Sequence, residues 1–189
     1  MIISLSGAGG SGKSTVAQHL SEVLGWPRYY IGGLRREAAA KRGLTLAEYN
    51  KLGESDADTD KEVDEYQKKL GETEDNFIIE GRTSWYFIPH SLKIYLDVDD
   101  DEGAKRVFGH LQQKNKRNED RHLNSIEAVK ESIRQRLTSD NLRYWQYYGI
   151  DGQKRENYDF YLNTTGLNSE EVFQRVYAFV RSRLDKREV

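Results

Sequence analysis

Ile2-Ile3-Ser4-Leu5-Ser6-Gly7-Ala8-Gly9-Gly10-Ser11-Gly12-Lys13-Ser14-Thr15 decides the fold class. Ile2 to Ser6 is a short apolar strand running into a glycine cluster. Val16, Ala17, Leu20 and Leu24 follow at helical spacing, which predicts a helix over Ser14–Leu24. Between strand and helix, Gly7 to Ser14 fits G-x-x-x-x-G-K-S/T in full. Glycines let a backbone come close to phosphate oxygens, and a helix N-terminus adds partial positive charge. Gly7, Ala8, Gly9, Gly10, Ser11, Gly12, Lys13, Ser14 and Thr15 are therefore the candidate nucleotide-binding set. Lys13 can reach the β- and γ-phosphates, Ser14 is placed to ligate Mg²⁺, and Thr15 lies one residue on, towards the α-phosphate. The motif points to a nucleoside triphosphate with Mg²⁺ and is silent on what receives the phosphate.

Outward from this loop, strands and helices alternate. Strands are expected at Arg28–Ile31, Phe77–Ile79, Leu92–Val98 and Phe160–Asn163. Helices are expected at Leu34–Arg42, stopped by Gly43, then at Asp56–Leu70, Asp99–Lys114 and from about residue 125 to Tyr148. Thr45–Glu48, Asn124–Glu127 and Asn168–Glu171 fit helix caps. This order implies a mostly parallel sheet covered on both faces, with ligands beyond the carboxyl ends of the strands.

The bulk composition narrows the classes. One domain of 189 residues is expected, with 37% hydrophobic and 32% charged residues. The formal net charge of -2 gives no global basic field for nucleic acid or an anionic membrane. The chain has no Cys and only four His, which excludes disulfides and makes zinc ligation improbable. No basic leader precedes the first strand, so the cytoplasm is the expected location, and a monomer is expected. Lys114–Arg121 is polar throughout and reads as a solvated stretch, Arg117 and Arg121 included.

Three local features suggest a small anionic acceptor: Gly32-Gly33-Leu34-Arg35-Arg36, Glu80-Gly81-Arg82 after a buried strand, and Arg134, Arg136 and Arg143 on the long helix. Phosphoryl transfer wants guanidinium groups on donor, acceptor and moving group. Arg82 is placed to hold an acceptor phosphate and Arg36 to do so from the other side. Arg134 and Arg136 could close over the donor, and for all of the helix arginines a solvated face is the competing reading. Glu80 and Asp97 both end buried strands, where a carboxylate holds Mg²⁺ through its waters, and Glu80 is preferred. Asp60 and Asp64, at i and i+4, share one helix face and could meet the acceptor's sugar or base or simply face solvent.

These motifs, with Asp60-x-x-x-Asp64, Ile78-Ile79-Glu80-Gly81-Arg82, Arg136 to Tyr144 and Tyr148-Gly149-Ile150-Asp151, resemble the archaeal-type cytidylate kinases over nearly the whole chain. The resemblance implies a three-layer α/β/α P-loop fold with a five-stranded parallel sheet. A monophosphate-binding helical region would span about residues 32–75 and a lid residues 112–126. It implies ATP and Mg²⁺, with CMP or dCMP as acceptor and no covalent intermediate. Arg36 and Arg82 would hold the acceptor phosphate, Lys13 would bridge the donor phosphates, and Arg136 would approach the moving group with Arg143 sharing that task. Gly-Ala-Gly-Gly stands where relatives usually carry Gly-Pro-Pro-Gly, and Gly33 stands where they often carry an acid. Other acceptors (UMP, AMP, a metabolite hydroxyl), a regulatory NTPase and a nucleic-acid kinase are the competing readings.

Overall fold

Ile2–Gly7 is buried at every position and forms β1. Unbroken burial marks a strand covered on both faces. The computed structural model describes residues 1–113, 120 and 122–187. Four further strands join β1: β2 (Arg28–Tyr30), β3 (Phe77–Glu80), β4 (Leu92–Asp97) and β5 (Phe160–Asn163). The order across the sheet is β2-β3-β1-β4-β5, and every pairing is parallel. Leu5 stands beside Glu80 on one side and Ile94 on the other, so the ends of β1, β3 and β4 open at one edge.

The two faces of β1 feed separate cores. Ile3 and Leu5 pack with Ile78, Ile94 and Leu96 under α1 (Lys13–Leu24) and α8 (Ser169–Leu184), which contribute Val16, Leu20, Val176 and Val180. Ile2, Phe77 and Ile79 pack on the other face against Ile31, Leu70 and Ile88. That side carries α2 (Ile31–Lys41), α4 (Asp58–Thr73) and the single turn α5 (Ser84–Phe87). Each fully buried Leu or Ile contributes about 1.5–3 kcal/mol. An exposed ion pair such as Lys41–Glu37 is worth about 0–1 kcal/mol, so the two apolar layers carry the stability. Beyond them, α6 (Asp100–Leu111) packs on α7 (Ile126–Tyr148) through Ala104, Val107 and Val129, and α3 (Leu46–Gly53) leans on α7.

Two of the expected caps form as capping boxes. Glu48 N donates to Thr45 Oγ1 while Thr45 N donates to Glu48 Oε2. Asn168 and Glu171 repeat the exchange at α8. The third shifts by one residue: Ser125, in extended conformation, accepts from Ala128 N and caps α7, while Asn124 N turns back to the His122 carbonyl. α2 starts at Ile31, earlier than expected, with Gly32 and Gly33 in its first turn. α5 was not expected at all, being too short to carry a periodic pattern. Of the expected lid, residues 112–126, positions 114–119 and 121 lie outside the described residues, Arg117 and Arg121 among them. Among the described residues no helix is long and apolar enough to cross a membrane.

Candidate active site

The carboxyl ends of β1 and β3 open into a cleft of about 480 Å³. One end is the Gly7–Ser14 loop. Gly7 has φ 141, and a Cβ there would stand 1.9 Å from the Leu96 carbonyl oxygen. Ala8 N donates to that same oxygen at 3.0 Å, which fastens the loop to β4. Gly10, at φ 82, lies against the Gly103 backbone of α6, where a side chain would come within 2.4 Å. Lys13, Ser14 and Thr15 form the first turn of α1, so their N–H groups have no partner within the helix. Lys13 folds across the loop, its Nζ donating to the carbonyls of Gly7 (2.9 Å) and Ala8 (2.5 Å).

Glu80 ends β3 and is buried. Its Oε2 accepts from Ser14 Oγ at 2.7 Å, and its Oε1 accepts from Arg28 Nε at 2.7 Å and from Arg28 Nη2. A hydroxyl and a carboxylate, both hard oxygen donors, adjoin the phosphate loop. That set fits Mg²⁺, which takes most of its shell from water and phosphate. Asp97 is engaged elsewhere, accepting from Tyr161 Oη at 2.6 Å, and does not line the cleft. Among the described residues no three His, Cys, Asp or Glu cluster as a metal site.

The opposite end is lined by Tyr30, Ile31, Arg35 and Arg36 of β2–α2, by Asp60, Asp64 and Gln67 of α4, and by Arg82 and Thr83. Arg136, Asp140 and Tyr144 of α7 close it. Asp140 gathers the arginines: Arg82 Nη1 lies 3.0 Å and Arg136 Nε 3.8 Å from its Oδ2, while Arg143 Nη2 donates to its Oδ1. Burial alone would push this carboxyl up, but Arg82, Arg143 and Arg136 outweigh it and hold it below the usual range. Arg143 also donates to both oxygens of Asp60 (2.6 and 2.5 Å), and Arg35 donates to the same carboxylate. Four guanidinium groups thus surround two carboxylates, leaving a local excess of positive charge beside the cleft. An anion entering there is welcomed by charge that the protein has already desolvated.

Arg143 is fully buried and lies behind the cleft wall rather than on it. Burial opposes its charge, while Asp140 and Asp60 push its pKa up. Asp60 and Asp64 are buried too, so the shared face of α4 points inward. Asp64 accepts from Gln67 Nε2 at 3.2 Å and from Tyr148 Oη. Burial drives its carboxyl up to about 7, against the hydrogen bond from Tyr148. Gln67 is itself fixed by Thr83 Oγ1 and Ser84 Oγ. Arg134 stands outside, paired with Asp100 at 3.1 Å.

Residues 2–166 match the model of the cytidylate kinase-like family. The chain belongs to that family. A cytidylate kinase of Methanobrevibacter smithii is 34% identical over 91% of this chain and 94% of its own length. That of Sulfurisphaera tokodaii is 33% identical over 98% of both chains. Among solved structures, an uncharacterised protein from Eubacterium ventriosum superposes with a TM-score of 0.69 at 17% identity, covering 96% of this chain and 99% of that one. A shikimate kinase from Bacteroides thetaiotaomicron gives 0.62 at 16% identity, covering 96% and 98%. At such identities these structures speak for the fold alone, a three-layer α/β/α architecture around a five-stranded parallel sheet.

Within this family member, two site residues, Arg28 and Asp140, escaped the reading of the sequence. Arg28 meets Glu80 only because β2 pairs with β3. Arg35, read with Arg36 as part of an anion site with a solvated face as the competing reading, is buried on Asp60 and Asn50. Asp140 did leave a trace: Arg136, Asp140 and Arg143 sit at i, i+4 and i+7 on one helix face, the spacing of an acid between two bases.

Proposed function

We propose that this chain transfers the terminal phosphoryl group of Mg-ATP to CMP or dCMP, giving ADP and CDP or dCDP. The observation that carries the proposal is one cleft with a phosphate loop at one end and an arginine cluster beside a buried carboxyl, Asp64, at the other. The family relationship and the name borne by its archaeal relatives support the same reading.

In this reading the loop amides and Lys13 hold the donor phosphates, Lys13 swinging from the Gly7 and Ala8 carbonyls to do so. Ser14 and Glu80 would hold Mg²⁺, which supplies charge neutralisation between donor phosphates when bound. Arg36 and Arg82 take the acceptor phosphate, and Arg136 faces the group in flight. Asp140 keeps Arg82 and Arg136 together, and Arg143 fixes Asp140 on its other oxygen, so Arg143 acts from behind. No general base of great strength is needed, because an acceptor phosphate oxygen is already the nucleophile. The donor's base would lie between α6 and the start of α8, where Arg106 is fixed by Glu102, Thr164 and Leu167. Residues 32–75 would act as the monophosphate-binding region and 112–126 as the lid. The enzyme would work as a cytoplasmic monomer with no nucleic-acid partner.

Asp64 is the candidate reader of the base. Ionised, it accepts from the 4-amino group of cytosine and repels the 4-oxo group of uracil. Its pKa near 7 gives UMP a specific place as second acceptor, since a neutral Asp64 can donate to that oxygen. The test is ADP release from Mg-ATP, first alone and then with CMP, dCMP, UMP, AMP and GMP in turn. Turnover with CMP or dCMP is expected. Slow release that ignores every nucleotide would overturn the proposal.

A further inference from the structure

The Tyr30 side chain folds back over the first turn of α2. Ideal Cβ atoms at Gly33 and Gly32 would stand 2.7 Å from its Cδ1 and 3.0 Å from its Cε2. Neither glycine has a left-handed backbone, so no turn requires them. Glycine also weakens a helix relative to alanine. What the pair provides is a floor on which the ring can rest.

The ring in turn meets Arg36. Arg36 Nη1 donates to Tyr30 Oη and to the Gly32 carbonyl at 2.9 Å. The guanidinium carbon lies 5.6 Å from the ring centroid, within cation–π range. Arg28, which carries Glu80, approaches the same ring at 5.8 Å. Tyr30 lines the cleft, so this assembly sits in the candidate site.

We propose that Tyr30 is a positioning residue that sets the Arg36 guanidinium for the acceptor's phosphate, and that Gly32-Gly33 is there to admit its ring. The proposal rests on the reading of Arg36 as a phosphate ligand. A long arginine chain loses rotamer freedom when it grips a phosphate. Holding it beforehand by a carbonyl, a hydroxyl and a ring face reduces that loss and tightens acceptor binding.

The test is steady-state kinetics with CMP and ATP on Arg36→Ala, Tyr30→Phe, Tyr30→Ala and Gly33→Ala, and on the doubles Tyr30→Ala/Gly33→Ala and Arg36→Ala/Tyr30→Phe. Tyr30→Phe keeps the ring and removes only the acceptor oxygen, so the CMP KM should rise about two- to tenfold, as one hydrogen bond predicts. Its kcat and ATP KM should stay within about twofold, a split that general loss of structure would not give. Gly33→Ala should raise the CMP KM by displacing the ring. In the Tyr30→Ala background the same change should leave KM alone and raise the melting temperature, as Gly→Ala does in an unobstructed helix. Tyr30→Phe should add nothing once Arg36 is Ala. A parent chain that does not turn over CMP sinks the functional reading and this proposal with it. An Arg36→Ala variant with the parent's CMP KM removes the phosphate role of Arg36, and the proposal falls too. A raised KM in Arg36→Ala but not in Tyr30→Phe or Gly33→Ala overturns the positioning role alone.

Discussion

Arg143→Met would remove the guanidinium that ties α4 to α7 while keeping most of the side chain's bulk. Arg143 is fully buried and donates to both Asp60 and Asp140. Breaking a buried pair on one side costs about 3–5 kcal/mol, because a desolvated charge is left behind. Here Asp60 keeps Arg35 and Asp140 keeps Arg82, so the low end applies, about 3 kcal/mol. For a domain of this size that is a fall of roughly 6–12 °C in melting temperature. Urea denaturation at pH 7 and at pH 4 or below would measure it. The pH dependence has a definite sign. Asp140 is held below the ordinary carboxylate value of about 3.9, so its ionic contribution is present above that value. It is lost as pH falls through the depressed folded value, and the gap between parent and variant should narrow there. At pH 7 the CMP KM should also rise, since Asp140 loses the Arg143 contact that fixes it between Arg82 and Arg136, while the ATP KM stays put. A variant as stable as the parent but with kcat collapsed would refute this account. It would mean that Arg143 leaves its burial site and reaches the reacting phosphates.

Three further outcomes are expected. Lys13→Ala should lower kcat about a hundred- to thousandfold with an unchanged circular dichroism spectrum, as loss of one transition-state donor does; a near-parental rate would remove the phosphate-loop assignment. Arg82→Ala should raise the acceptor KM and lower kcat with the ATP KM unchanged, whereas loss of ATP affinity alone would move Arg82 to the donor end. Asp64 has its pKa raised to about 7, so its contribution to stability is full below the unfolded value and falls away as pH rises to 7. Asp64→Asn should therefore gain stability over the parent between pH 4 and 7, by at most about 4 kcal/mol, and should blunt the preference for CMP over UMP; a gap that ignores pH would contradict the burial of Asp64.

The phosphate loop was legible because its chemistry is local: strand, glycines, lysine and helix lie within fifteen residues. The Thr45 and Asn168 capping boxes were legible for the same reason. Arg28, by contrast, finds Glu80 across 52 residues of chain, and nothing near Arg28 foretells it. Arg35 was half legible: its pairing with Arg36 after Gly32-Gly33 points to an anion site, its Ala-rich helix to an exposed face, and the packing of both α3 and α4 buries it. Arg143 shows the same limit from the other side. Its place in the sequence suggests contact with phosphate, whereas its surroundings make it a buried strut. Distances along the chain predict partners within a helix or a turn, and long-range ion pairs are decided by packing.

The sheet order puts β1 between two territories. β2 and β3, with the helices between them, build the Arg36 and Asp64 side, while β4, β5 and α8 adjoin the loop on the other. The chain between β2 and β3 can thus be remodelled without disturbing the anchor of Ala8 on Leu96. Yet residues 31–73 would not exchange alone, because Asp60 is held by Arg143 and the same end of the cleft is lined by Arg82, Arg136 and Asp140 of later elements.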